Sequence, residues 1–413
     1  MMSLNFIGRA DELDILQELY KNDAKIIRIS GRRGIGKTAL VSEFCKNRKN
    51  VFFSCRPTGR TQNLKALSDA VGSEKIVRDI QDAIDVISRR SDDRTIFVID
   101  NADGIYDTDS LEIPYNITLI LIGRELEDAD INLEGFDLRE SGYFFPDCMP
   151  REKLLIYAVT GGIPSYMTVF DRNVSVSDNI ESLFFRENGR LFVEPESLLR
   201  SMGIREPEGY LSVLSAMSDG EDTINGIMRN SDDNSTAAVL KHVEPLVDTL
   251  IERHVPEGMV RASYRISDNL MRFWLRFVQG HADDIARGRN HIFADMVEDE
   301  MDGYLFSVYR ETCSRYLDDG YGCTIEEWTE PDDDRTCYAY CSDDEDAYFI
   351  SCSWSRRPAG KETYESLRRF AGRKAPGKER VLIMFSAWGF RKDMELMSEE
   401  TDVDLVPLEG LFW

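Results

Sequence analysis

The chain has 413 residues, 42% hydrophobic and 30% charged, which suits a globular protein built from domains of about 100–200 residues each. A formal net charge of −25 argues against unspecific coating of nucleic acid, because such a surface repels a phosphate backbone. The sequence contains no apolar run of about 18 residues and no signal-peptide pattern, so it predicts a cytoplasmic protein with no membrane span.

The first predicted element is an amphipathic helix, with Leu13, Leu16, Leu19 and Tyr20 on one face, entered through Phe6-Ile7-Gly8-Arg9. An apolar strand over 24–30 runs into Gly31-Arg32-Arg33-Gly34-Ile35-Gly36-Lys37-Thr38, which satisfies G-x-x-x-x-G-K-[ST] without mismatch. Strand before and helix after are the context in which this loop cradles nucleoside triphosphate phosphates on backbone N–H groups and a helix N-terminus. The residues expected around ATP are Arg33, Gly34, Ile35, Gly36, Lys37, Thr38 and Ala39. Lys37 is expected at the β/γ-phosphates and the Thr38 hydroxyl on Mg²⁺.

A second strand is expected over 50–55, and Thr95-Ile96-Phe97-Val98-Ile99-Asp100 forms an apolar strand ending in an acid, the Walker B pattern. Asp100 is therefore the second predicted Mg²⁺ residue. Asn101 follows; in the AAA+ and STAND ATPases that this stretch resembles, a Glu that polarises the attacking water typically stands here, and an amide cannot take the proton. Asp103 and Glu125 are the substitutes within reach in sequence. A further strand over 117–122 leads to Arg124, which resembles the arginine that many STAND ATPases carry here, and that resemblance implies a γ-phosphate sensor. Strands alternating with helices predict an α/β fold of the P-loop NTPase type, three layers around a parallel sheet.

The pattern F-x-G-R-x-x-E-L ahead of the loop resembles the start of AAA+ ATPases of the STAND group, which implies that Ile7, Gly8 and Arg9 line the adenine. Thr160-Gly161-Gly162-Ile163-Pro164-Ser165-Tyr166-Met167 closely resembles the TGGxPxYL segment of archaeal-type STAND ATPases, and this implies that Gly162 and Pro164 lie near the nucleotide. Between 207 and 268 three helical patterns precede a returning strand, as in a winged helix. Tyr264-Arg265-Ile266-Ser267-Asp268-Asn269-Leu270-Met271-Arg272-Phe273-Trp274 is similar to that family's hallmark at this place. The candidate recognition helix, 235–254, offers Lys241, His242 and Arg253 against Glu244, Asp248 and Glu252, and Pro245 interrupts it. That composition favours a protein-packing module over a reader of base edges.

The last third resembles a restriction-endonuclease-like domain of the PD-(D/E)xK kind, with its chemistry removed. Phe306-Ser307, the strand Thr336 to Cys341, and Cys352-Ser353-Trp354 stand where the family shows metal-binding acids and a lysine. Between residues 317 and 347, twelve acids face one basic residue, Arg335, which reads as a solvated face. The eight cysteines contain no C-x-x-C pair, so zinc spacing is absent and reduced core thiols are expected.

The domains expected are a nucleotide-binding core (1–150), a helical lid (151–206), a winged helix (207–272) and a degenerate nuclease-like domain (273–413). The resemblance implies an ATP- and Mg²⁺-binding ATPase, slow because of Asn101, that serves as a nucleotide-dependent switch with a protein partner or by self-association, and no nuclease. Catalytic roles fall to Lys37, Asp100, Asn101 and Arg124. Two alternatives stay open: an ATP-regulated winged-helix DNA-binding protein, and an inactive ATP-binding scaffold.

Overall fold

The computed structural model describes residues 6–104, 110–255, 261–288, 300–342, 346–374 and 379–412. It forms two compact units, residues 1–135 with 163–169, and residues 136–162 with 170–413.

The first unit runs α1 (Ala10–Lys21), β1 (Ile26–Ser30), α2 (Lys37–Cys45), β2 (Asn50–Ser54), α3 (Arg60–Ala70), α4 (Ile80–Ser88), β3 (Thr95–Asp100), β4 (Ile117–Ile122) and β5 (Ile131–Asn132). All strand pairs are parallel, in the order β2-β3-β4-β1-β5. β3 and β4 are apolar and buried almost throughout because helices cover both faces of a parallel sheet. On one face Ala83, Ile84 and Ile87 of α4 pack with Phe97, Ile99, Leu119 and Leu121. Asp79 starts α4 by accepting the Asp82 N–H at 2.9 Å, which satisfies one free donor of its first turn. From β1 the chain goes on to β2 at one edge, and from the neighbouring β4 to β5 at the other. This reversal, at the strands' C-terminal ends, is where open α/β sheets carry their ligands.

The second unit begins with α5 (Leu138–Gly142) and α6 (Pro150–Thr160). The chain then enters the first unit for one short helix, α7 (Pro164–Met167), and continues in the second as α8 (Val176–Phe184) and α9 (Glu194–Ser201). Next come α10 (Glu208–Ser218), α11 (Ile224–Asn230), α12 (Thr236–Val243) and an antiparallel ribbon of β6 (Ile251–His254) and β7 (Ser263–Ile266). Residues 235–254 are thus not one helix, contrary to the sequence expectation. Pro245 sits in a short 3-10 turn after α12, Asp248 turns the chain at φ 63°, and Ile251 to His254 pair with β7 instead.

The remaining elements are α13 (Asn269–Phe277), α14 (Ala282–Ala286), α15 (Glu300–Tyr321), β8 (Thr336–Ser342), β9 (Asp346–Ser353), α16 (Lys361–Lys374), β10 (Glu379–Ser386), α17 (Lys392–Ser398) and β11 (Val403–Pro407). The sheet order is β11-β10-β9-β8, with β8 antiparallel to β9 and the other pairs parallel. Leu367 of α16 packs with Phe349 and Met384, whereas Cys313 of α15 brings its sulfur to 4.0 Å from that of Cys352. Cys323 and Cys341 form a disulfide, which corrects the expectation that every thiol is free; the fold brings together two positions 18 residues apart that share no spacing signature. Among the described residues no helix is long and apolar enough to cross a membrane.

Candidate functional site

β1 ends at Ser30 and the chain turns through the glycine loop into α2. Gly36 caps α2 at φ 100°, a conformation that L side chains rarely adopt. Gly34 is required for a second reason: a Cβ there would lie 2.2 Å from the Ser165 hydroxyl oxygen. Ile35 is buried, Lys37 half-buried, and Arg33, Thr38 and Ala39 are exposed. The Lys37 ammonium donates to the carbonyl of Arg32 at 2.8 Å and to that of Gly31. Burial lowers its pKa from the ordinary lysine value and Arg124 lowers it further, while Asp100 and Asp103 pull it back up.

The two predicted Mg²⁺ residues meet, because the Thr38 hydroxyl donates to an Asp100 carboxylate oxygen at 3.0 Å. A hydroxyl and a carboxylate are the hard oxygen donors that Mg²⁺ takes while keeping several waters, so this pair fits the ion. Asn101 stands apart from such a role. It adopts φ 57°, and its amide nitrogen donates to the Ser54 hydroxyl at 3.1 Å and the Cys55 carbonyl at 3.3 Å. One oxygen of Asp103 accepts the backbone N–H groups of Arg124 and, at 3.4 Å, Glu125. This ties the turn after β3 to the turn after β4. Arg124 is coupled to Lys37 by charge and accepts the Gly31 N–H on its carbonyl at 3.2 Å.

Ile7 and Gly8 are half-buried beside Arg9, whose own side chain is enclosed. The Arg9 guanidinium donates to Glu12 at 2.7 Å, to the Ile35 carbonyl at 3.4 Å and to the Glu134 carbonyl at 2.5 Å. It acts as a clamp joining α1, the glycine loop and the stretch after β5. Pro164 lies 3.8 Å from where a Cβ on Gly36 would be, and the Ser165 N–H donates to the Gly34 carbonyl at 3.2 Å. Arg32 reaches the Tyr166 hydroxyl at 3.2 Å. Gly162 belongs to the other unit, where a Cβ would meet the Phe136 carbonyl oxygen at 1.9 Å. Sequence reasoning missed Ser165, Tyr166 and Glu134 as neighbours of the loop; the Pro-Ser-Tyr run after Gly-Gly was the available signal.

The motif from Tyr264 to Trp274 is a structural joint inside the second unit. Asp268 caps α13 by accepting the Met271 N–H at 2.7 Å. Asn269 donates to the Tyr157 carbonyl at 3.1 Å, and the Tyr304 hydroxyl donates to the Ala158 carbonyl at 2.7 Å, so α6, α13 and α15 share one polar seam. Arg272 grips Glu311 of α15 with two nitrogens, at 2.5 and 2.9 Å, and the Trp274 indole donates to the Phe192 carbonyl at 2.8 Å.

A parallel sheet whose first strand feeds the glycine loop, with Lys37 and Thr38 opening the next helix and Asp100 ending β3, defines a P-loop NTPase fold. No family model matches the chain. It is 20% identical over 431 residues to the uncharacterized protein MJECL04 of Methanocaldococcus jannaschii, an alignment covering 91% of this chain and 97% of that one. It is 40% identical over 45 residues to the uncharacterized ATP-binding protein MJ0423 of the same organism, covering 11% of this chain and 76% of the relative. By that match the chain belongs to the same family as MJ0423. Similar solved structures include the Walker-type ATPase PABY2304 of Pyrococcus abyssi, at 18% identity over 66% of this chain and 96% of that one, TM-score 0.45. Cdc6p of Pyrobaculum aerophilum is similar at 11% identity over 72% of this chain and 97% of that one, TM-score 0.31. Both scores are low, and the fold assignment rests on the sheet order and the loop themselves.

Proposed function

We propose that the protein binds ATP with Mg²⁺ at the loop 31–38 and acts as a slow nucleotide-dependent switch of the AAA+/STAND kind. The observation that carries this reading is the meeting of Thr38 with Asp100 at 3.0 Å beside a Lys37 held by loop carbonyls. Mg²⁺, when bound, supplies charge neutralisation between the β- and γ-phosphates. Thr38 and Asp100 would hold it, while Lys37 exchanges its contacts with Gly31 and Arg32 for phosphate oxygens. Asn101 can orient a water but cannot deprotonate it, and Asp103 is restrained by two backbone N–H groups, so turnover is slow.

The segment 163–169 is the proposed reporter. It touches the loop through Pro164 and Ser165, and it continues through Gly162 and Gly161 into α6. Nucleotide that moved Gly34 or Gly36 would press on this segment first. We further propose that α10, α11, α12 and the β6–β7 ribbon are a winged helix used for protein packing. The sheet of β8 to β11 with α15 and α16 would be the degenerate nuclease-like domain. In its place of chemistry the Thr336 and Ser353 hydroxyls bond each other at 3.1 Å.

The test is a thermal melt of wild-type protein and Lys37→Ala with and without Mg-ATP. Saturating nucleotide, about a hundredfold over Kd, stabilises a binding protein by about 2.7 kcal/mol. The shift is expected in wild type alone. Equal shifts in both proteins would dismiss the loop as the site.

A further inference from the structure

A second charged site lies in the second unit, away from the glycine loop. Asp302, in the first turn of α15, has a side chain only 4% exposed. Arg151 of α6 reaches one of its carboxylate oxygens at 2.7 Å; Arg335, just before β8, and Arg356, just after β9, reach the other, the latter at 3.8 Å. One buried carboxylate needs one guanidinium for neutrality, so Asp302 by itself balances one of the three arginines. The arginines are 43%, 47% and 67% exposed, and Asp302 is the only side-chain hydrogen-bond or ion-pair partner that any of them has among the described residues. A guanidinium carries five N–H donors in a fork that fits oxyanions, and most of these fifteen donors remain unused.

The arginines border an aromatic cluster in which Phe306 and Tyr309 pack on the Trp354 ring, at 6.1 and 5.3 Å. Trp354 follows β9 and Trp388 follows β10, at the C-terminal ends of two parallel strands. Their rings lie 5.4 Å apart, and the Arg151 guanidinium sits 4.4 Å from the Trp388 ring and 5.3 Å from that of Trp354. Trp354 is fully buried, yet its indole N–H has no acceptor among the described residues. Asp332 turns one carboxylate oxygen onto the N–H groups of Asp334 at 3.1 Å and Thr336 at 2.9 Å.

We infer that Arg151, Arg335 and Arg356, gathered on Asp302 beside Trp354, form a binding site for a small phosphorylated ligand. The three forks suit the several oxygens of a phosphate. A long polyanion is disfavoured by the twelve acids between residues 317 and 347.

The experiment uses full-length Lys37→Ala protein, so that the glycine loop cannot hold the probe, titrated by calorimetry with inorganic phosphate and with uridine 5′-monophosphate. Saturable binding is expected, accompanied by a change in tryptophan emission. Tighter binding of the nucleotide would assign a phosphate ester; equal binding would assign free phosphate. Arg356→Gln, at the most exposed of the three, should weaken binding about tenfold without lowering the melting temperature. Asp302→Asn frees the three forks and should tighten binding if the variant folds. No saturable binding of either probe, or equal affinity in Arg356→Gln, overturns the proposal.

Discussion

The Asn101 side-chain nitrogen donates to the Ser54 hydroxyl at 3.1 Å, which anchors the residue after the Walker B acid to the end of the neighbouring strand β2. In the proposed ATPase site that contact holds an amide where general-base chemistry would need a carboxylate.

Asn101→Glu should therefore raise single-turnover hydrolysis of pre-bound ATP by about 10²-fold or more, with little change in ATP affinity, because the substitution acts on the transition state. Phosphate release from the two proteins is the measurement. A wild-type rate that is already fast, unchanged in Asn101→Glu and lost in Asp103→Asn, would move the base to Asp103 and end the slow-switch reading.

Gly162 adopts φ 69°, and a Cβ on it would lie 1.9 Å from the Phe136 carbonyl oxygen. Gly162→Ala should destabilise the protein by about 3 kcal/mol or more, since backbone must move as well as accept the strained dihedral. Gly203 has φ 86° with nothing within 4 Å of its missing Cβ. Gly203→Ala should cost about 1 kcal/mol, from the dihedral alone. Urea melts of the two variants separate the effects; equal losses would mean that the Phe136 contact relaxes freely.

Arg272 and Glu311 join α13 to α15. Burial pushes the Glu311 carboxyl up, but Arg272, with Arg265 and Arg310, pulls it further down, to below the ordinary glutamate value of 4.5. A carboxylate depressed in the folded state contributes stability that is present above pH 4.5 and lost as pH falls through the lowered value. Glu311→Gln should cost about 2 kcal/mol near neutrality, the Arg272 charge being left half-paired, and the gap to wild type should close in acid. A gap that stayed constant with pH would assign the loss to packing.

Cys323→Ser opens the Cys323–Cys341 link across a separation of 18 residues. Loop-closure entropy predicts a loss of about 3 kcal/mol for oxidised protein and none once both proteins are reduced. The check is a pair of urea melts, with and without reductant. A gap of equal size in both would show that Cys323 acts through its packing.

The glycine loop 31–38 and the strand ending at Asp100 were legible from the chain alone, because each is a run of adjacent residues whose chemistry depends on local spacing. The alternation of apolar strands and amphipathic helices likewise determined a parallel α/β sheet in the first unit. The extent of α12 was not legible. Apolar residues at helical spacing suggested one element over 235–254 interrupted by Pro245, yet pairing with β7 drew 251–254 into a strand. The resemblance implied a place for Arg9 beside the adenine, but the reach of its fork to the Glu134 carbonyl, 125 residues away, was not legible. Ser165 on Gly34, Asn269 on Tyr157 and three arginines on Asp302 have the same character. Each joins donors and acceptors distant in the chain, and which of them meet is decided only when sheet order and helix packing place them within hydrogen-bond reach, a distance that no local pattern of residues encodes.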